Sequence, residues 1–328
     1  MEAFFIVLNP VLTLFICMAI GFALQKFKIV PESTSKSLAR LETTVFCPAL
    51  AFMSMANAFT PSSIAKHSAN LLVSTILLFL ALIIGISLSY LFVKKKSYER
   101  YVYQYALAFA NFGYMADPLV QALFGDAVLG SYKFFSLPFS ICVYVWGITI
   151  LTPAENRTSS PLKRILNFPT VALIIGMVFG LTSALPFVPS FITSTLNSLK
   201  ACMGPVAMIM TGLTIAKYDV KRLLTNKKVY LATALRLTLL PAFLIACAIA
   251  VRAGINAIFD AEIISAEPVY FAFFAFAMPL GMNTVVFPES YGGDPEPGAS
   301  MALVSSAFSI LTIPLMYTLL TIIVQCPF

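Results

Sequence analysis

Long apolar blocks separated by short polar stretches dominate this chain. Ten of them reach the roughly 20 mostly apolar residues that a bilayer-spanning helix needs. They cover about 3–24, 37–58, 68–93, 101–124, 130–152, 166–185, 191–216, 228–251, 266–291 and 298–325. Two blocks are interrupted near the middle. The fourth reads Ala108-Phe109-Ala110-Asn111-Phe112-Gly113-Tyr114-Met115-Ala116-Asp117-Pro118 and runs on to Phe124-Gly125. The ninth reads Ala275-Phe276-Ala277-Met278-Pro279-Leu280-Gly281-Met282-Asn283 and runs on to Tyr291-Gly292. The two align without a gap at a constant offset of 167 residues. Gly and Pro at matching depths leave backbone groups unpaired, which a bilayer tolerates only where protein or a water-filled cavity surrounds them. Matched broken helices in two halves point to the substrate site of a secondary transporter.

Composition agrees with a membrane location. Hydrophobic residues make up 59% of the 328 and charged ones only 11%, against about 25% charged in a typical soluble domain. The first block follows the acidic Glu2, lacks a small-residue cleavage site and is longer than a signal-peptide core, so it is expected to remain as a helix. The net charge of +7 does not imply a nucleic-acid partner, because the basic residues sort by loop. Numbering loops by the helix before them, odd loops hold 16 of the 21 basic residues, among them Lys94 to Lys96, Lys163, Arg164 and Lys217. Even loops hold only Lys66, Lys133 and Arg252. The positive-inside rule then places odd loops in the cytoplasm and both termini outside, as expected of a multi-pass protein of the plasma (inner) membrane. The loop after the ninth helix departs from this with Asp294 and Glu296, although acidic residues weigh little in orientation. The six cysteines, from Cys17 to Cys326, lie in or beside spans without metal-ligand spacing and read as small apolar packers. Asn156-Arg157-Thr158 matches a glycosylation acceptor but falls in a loop assigned to the cytoplasm.

Ten helices with related fourth and ninth members divide into five plus five, residues 1–155 and 156–328, joined by the polar stretch Pro153 to Pro161. A five-helix unit begins and ends on opposite sides, so the second copy inserts upside down. The second and seventh helices support the pairing: Glu42 and Lys200 each precede a proline, Pro48 and Pro205, by five or six positions.

The order of these features resembles the auxin efflux carrier family over essentially the full length. The resemblance rests on the Glu42 to Pro48 stretch, the Ala108 to Asp126 broken helix, the Lys200 to Ala216 stretch with Met210-Thr211-Gly212-Leu213-Thr214, and Pro279 to Gly292. It implies an all-α, sodium/proton antiporter-like fold of two inverted repeats. In that fold broken helices four and nine cross at the midplane, and a panel moves against a scaffold. It implies secondary transport of a small organic anion, a malate- or malonate-like dicarboxylate ahead of an auxin-like aromatic monocarboxylate. A proton or sodium ion would serve as coupling ion, no other cofactor is implied, and a homodimer is admitted. The chain lacks the long loop of plant members between helices five and six, and its Asp117-Pro118 and Pro279-Leu280-Gly281-Met282-Asn283 differ from the usual bacterial crossover.

An ionisable group in the bilayer centre costs about 2.5 to 3.5 kcal/mol on insertion scales, so each is a candidate for function. Asp117 either carries a coupling proton or sodium ion, or caps the half-helix that starts at Pro118. Glu42 and Lys200 either form an ion pair remade during transport or each sit near a membrane face and reach out to it. Arg236 lies about 13 Å inside the span at 1.5 Å per residue. It anchors an anion or reaches back to the headgroups, and the resemblance implies that the eighth helix is not at the crossing. Asn111, Gly113, Pro279, Gly281 and Asn283 offer amide side chains, freed peptide groups and half-helix N-termini that favour an anion, or, for the asparagines, plain helix-to-helix bonds. Enzyme chemistry finds little material. The only histidine, His67, sits at a membrane edge, and Gly-x-Ser-x-Gly, His-Glu-x-x-His and a second intramembrane aspartate are all missing. A channel, or a transporter-like sensor without flux, would share the same fold.

Overall fold

The computed structural model describes residues 2–157 and 166–325, with side chains from Val7 onward except at Asp126. Thr158 of the glycosylation match, the end of the join at Pro161, Lys163, Arg164 and Cys326 lie outside the described residues. Every one of the ten apolar blocks is helical. We number the helices α1 (Glu2–Lys26), α2 (34–58), α3 (Pro61–Lys66), α4 (Ser68–Phe92), α5 (Tyr98–Ala108), α6 (116–124), α7 (Ala127–Leu151) and α8 (Phe168–Leu181). There follow α9 (Ser190–Ala216), α10 (Val220–Thr225), α11 (Lys227–Phe259), α12 (Glu267–Phe276), α13 (Asn283–Tyr291) and α14 (Glu296–Ile323). Six of them, α1 from Val7, α4, α7, α9, α11 and α14, are long and apolar enough to cross a membrane. Gly125, at φ 80°, separates α6 from α7 in a conformation that suits glycine.

Local signals explain several ends. Thr60, Ser97 and Asn167 accept bonds from the backbone N–H three residues on, capping α3, α5 and α8. Three helices carry a wide π turn, at Glu42–Phe46 in α2, Val143–Gly147 in α7 and Leu235–Leu239 in α11. The first and third come just before Pro48 and Pro241, where the missing N–H and the ring would otherwise break the ladder.

Small residues set the packing. In α1 and α9, a Cβ added at Gly21 would lie 2.0 Å from the Ile209 carbonyl oxygen and one at Gly212 would lie 1.9 Å from that of Met18. Gly176 and Gly180 of α8 meet the backbone of Phe52 and Met55 in α2 and of Phe59 just past its end in the same way. Lipid supplies no hydrophobic drive for helix association, so this close backbone approach is what holds each pair together. Gly212→Val is therefore expected to cost about 2 kcal/mol, read as a lower melting temperature in detergent. A melting temperature equal to wild type would show that α1 and α9 are held elsewhere. By contrast, α12 is buried on every side from Pro268 to Phe276, which is why its sequence is apolar all round.

Candidate functional site

The two breaks meet. Ala110 and Leu280 form an isolated antiparallel bridge, and the Asn111 N–H donates to the Pro279 carbonyl at 2.9 Å. Other freed backbone groups are met by side chains: the Leu280 N–H donates to Ser305 Oγ of α14 at 3.2 Å, and Tyr132 of α7 donates to the Phe112 carbonyl at 3.2 Å. These backbone groups are thus satisfied by protein, as a non-helical segment among apolar helices requires. Four half-helix ends converge here: the C-termini of α5 and α12, and the N-termini of α6 and α13.

The side chains of the crossing form a polar chain. Tyr114 donates to Asn283 Oδ1 at 3.1 Å, Asn283 Nδ2 donates to Tyr105 Oη at 2.7 Å, and Cys47 Sγ lies 3.7 Å from Tyr114 Oη. Asn283 is therefore engaged with tyrosines and does not bond Asn111. Asn111 is 1% exposed, and neither its oxygen nor its nitrogen has a partner. It lines a small cavity of about 30 Å³ together with Gly113, Lys133, Ser140, Gly281 and Asn283. Gly281 is packed tightly, with a Cβ there only 3.2 Å from the Tyr105 ring, whereas Gly113 has nothing within 4 Å of one.

Gly113, Tyr114, Leu50, Met203 and Lys133 also line a second, larger cavity, a vestibule of about 730 Å³. Its other walls come from the first turns of α1 (Asn9, Thr13), from α6 (Asp117, Gln121) and from the middle of α9 (Asn197, Lys200, Pro205). These parts of α1 and α9 lie toward the face opposite the basic loops.

Within the vestibule Asp117 bonds Lys133 through Oδ2 in a buried ion pair. Two expectations change. Lys133 is not a loop residue; it lies two turns into α7 and is 9% exposed. Nor does Asp117 cap α6: it stands in the first turn, its carboxylate makes no capping bond, and Oδ1 is buried without a partner. Burying an ion is costly unless it is paired, and that cost is why Lys133 and Asp117 find each other.

Glu42 and Lys200 are not paired. Glu42 is fully buried at the start of the π turn of α2, with no hydrogen-bond partner on either oxygen, so it does not reach a membrane face. Lys200, half-buried on α9, lines the vestibule and acts electrostatically on Asp117 instead.

Arg236 neither reaches the headgroups nor lines the vestibule. It is 0% exposed, its Nη1 donates to the Leu107 carbonyl at 3.3 Å, and its guanidinium lies 5.9 Å over the Phe276 ring. Leu107 and Phe276 stand in the last turns of α5 and α12, so this cation sits at the negative ends of both half-helices. The eighth apolar block does reach the crossing, from behind. Arg252, expected in a loop, belongs to the longer α11 and pairs with Glu262.

Sequence reasoning passed over Glu289. On α13 it is 7% exposed, and its Oε1 accepts from Ser35 of α2 at 3.2 Å, Thr214 of α9 at 3.0 Å and Lys217 at 2.9 Å. Thr43 and Ser290 meet beside it at 2.8 Å. This cluster ties α13 to α2 and α9 on the basic-loop side of the crossing, opposite the vestibule. An acidic residue in an apolar helix was the available signal. His67, in contrast, lines neither cavity and packs against Asn70 and Phe134. Burial lowers its basicity below the ordinary value, partly opposed by Glu267, so the imidazole stays neutral at pH 7.

Comparison with known proteins finds transporters. The family model described as membrane transport protein matches residues 6–317. An uncharacterized transporter of Methanothermobacter thermautotrophicus is 22% identical over 312 residues, covering 94% of this chain and 96% of the relative. Another uncharacterized transporter, from Methanocaldococcus jannaschii, is 24% identical over 223 residues, covering 65% of this chain and 70% of the relative.

Proposed function

The chain belongs to the membrane transport protein family, as its resemblance to auxin efflux carriers implied, and from that premise we propose that it is a secondary active carrier of small organic anions working by alternating access. It is a multi-pass membrane protein of a transporter family, and the finer reading is ours. The ten helical blocks form two inverted five-helix repeats in the plasma (inner) membrane with both termini extracytoplasmic, and a proton or sodium gradient drives the cycle.

The observation that carries this reading is the contact of the two unwound segments, Asn111 N–H to Pro279 O, beside a small cavity that shares Gly113, Tyr114 and Lys133 with the vestibule. An anion in the vestibule meets Lys133, Lys200 and the positive N-terminus of α6, with the unpartnered amide of Asn111 and the N-terminus of α13 in the adjoining small cavity. Two cations in one cavity favour a malate- or malonate-like dicarboxylate over an aromatic monocarboxylate. The bonds of Glu289 to α2 and α9 close the other side, as alternating access requires of one state.

Counterflow tests the reading. Proteoliposomes preloaded with unlabelled malonate are expected to accumulate external radiolabelled malonate transiently above equilibrium, and protein-free vesicles are not. Absence of counterflow across a panel of mono- and dicarboxylates, with and without sodium, would sink the carrier assignment in favour of a sensor.

A further inference from the structure

We propose that Lys133 and Lys200 together hold the two carboxylates of a dianion, and that Asp117, displaced from Lys133 by the incoming carboxylate, takes up one proton for each dianion bound. This deepens the carrier reading and rests on it.

The vestibule holds three charged side chains among the described residues: Asp117, Lys133 and Lys200. Empty, they sum to one positive charge, with Asp117 bound to Lys133 by a single oxygen while Oδ1 has no partner. Asp117 is thus a half-satisfied anion standing where a better one can bind. A carboxylate arriving at Lys133 must compete with Asp117, because one buried ammonium cannot neutralise two carboxylates at once. Once deprived of Lys133, an ionised Asp117 would be a buried charge without a counter-ion, which costs far more than protonation does. The proton comes from the aqueous face through the vestibule and ends on Asp117; no other bond is made or broken. The loaded site then holds two ammonium groups, a neutral acid and a dianion, and is electrically neutral.

The groups facing Asp117 support this assignment. Lys133, Tyr132 and Tyr144 approach from α7 and Lys200 from α9, while α1 contributes only the neutral Asn9 and Thr13 and α2 contributes Leu50. Among the described residues, Asp117 is therefore the only acid lining the vestibule with the two cations. A monoanion behaves differently. It neutralises the site by binding Lys200 while the Lys133 to Asp117 pair stays closed, and so needs no proton.

Calorimetric titration of the purified full-length protein with malonate, in two buffers of different ionisation enthalpy, counts protons taken up on binding. Wild type is expected to take up about one proton per malonate and none per acetate. Asp117→Asn mimics the displaced acid, so it is expected to bind malonate with no proton uptake and with affinity independent of pH between about 7 and 8, where malonate is already a dianion. Lys133→Met is expected to weaken malonate binding by roughly 30-fold or more. Should that variant fail to fold with Asp117 left unpaired, the double variant Asp117→Asn/Lys133→Met removes both charges together and is expected to show the same weakening. Malonate binding to wild type without proton uptake, or undiminished binding by the double variant, overturns the proposal while counterflow leaves the carrier reading standing. Absence of both binding and counterflow overturns the carrier reading and this proposal with it.

Discussion

Arg236→Met is expected to slow counterflow by about a hundredfold, with Arg236→Lys retaining part of the rate. The half-helices α5 and α12 each end at the crossing with carbonyls that have no intrahelical partner, and each end carries about half a negative charge. Together they match the single positive charge of Arg236, which donates to Leu107 O and lies over Phe276. In a site closed to water, each uncompensated end costs up to about 2 kcal/mol. Losing both compensations is worth about 3 kcal/mol, or roughly two factors of ten. Methionine fills a comparable unbranched space, and Nε and Nη2 of Arg236 lack partners. The cation's desolvation is thus not fully offset in the native protein, and its removal should lower the melting temperature little. The expected signature is a large loss of rate with a small loss of stability, measured on vesicles of matched protein content. A rate within threefold of wild type would show that the breaks hold without the cation.

Helix positions were legible in the sequence, and side-chain partnerships much less so. Block length and apolar content are properties of a segment, and each of the ten blocks is helical. The constant offset of the two breaks likewise anticipates their contact, since Gly and Pro at matching depths need each other's backbone or a nearby side chain. Partnerships depend on the rotation of each helix about its axis. Symmetry suggested pairing Glu42 with Lys200, but Glu42 is turned into the bundle, fully buried, while Lys200 faces the vestibule. Lys133 stands so near the start of its apolar block that segment boundaries alone assigned it to a loop. Yet a lysine and an aspartate separated by a Gly-containing turn, Gly125, are the kind of pair a folded-back helix brings together. Arg236 was legible as deep but not as central, because depth follows from counting residues while centrality follows from packing.

Replacing Glu289 by leucine is expected to open the basic-loop side of the crossing. The carboxylate gathers Ser35, Thr214 and Lys217 onto one oxygen and so joins α13 of the crossing to α2 and α9. Hydrogen bonds to a buried charge contribute about 1.5 to 3 kcal/mol each and do not add fully, so removing all three should favour opening by about 3 kcal/mol. That is roughly a hundredfold change in the ratio of the two states. Cys47 reports it: it is 1% exposed, bonds Tyr114 in the crossing and is absent from the lining of the vestibule. In a background with the other five cysteines replaced, a membrane-impermeant maleimide added on the basic-loop side should label Cys47 slowly in the parent and much faster with Glu289→Leu. Glu289→Gln should be intermediate, because its amide oxygen still accepts from Ser35 and Thr214 while the attraction to Lys217 is gone. Equal labelling of all three variants would mean that the cluster is a structural tie within one rigid body. Faster labelling only from the vestibule side would place the moving boundary elsewhere than between α13 and the α2 and α9 pair.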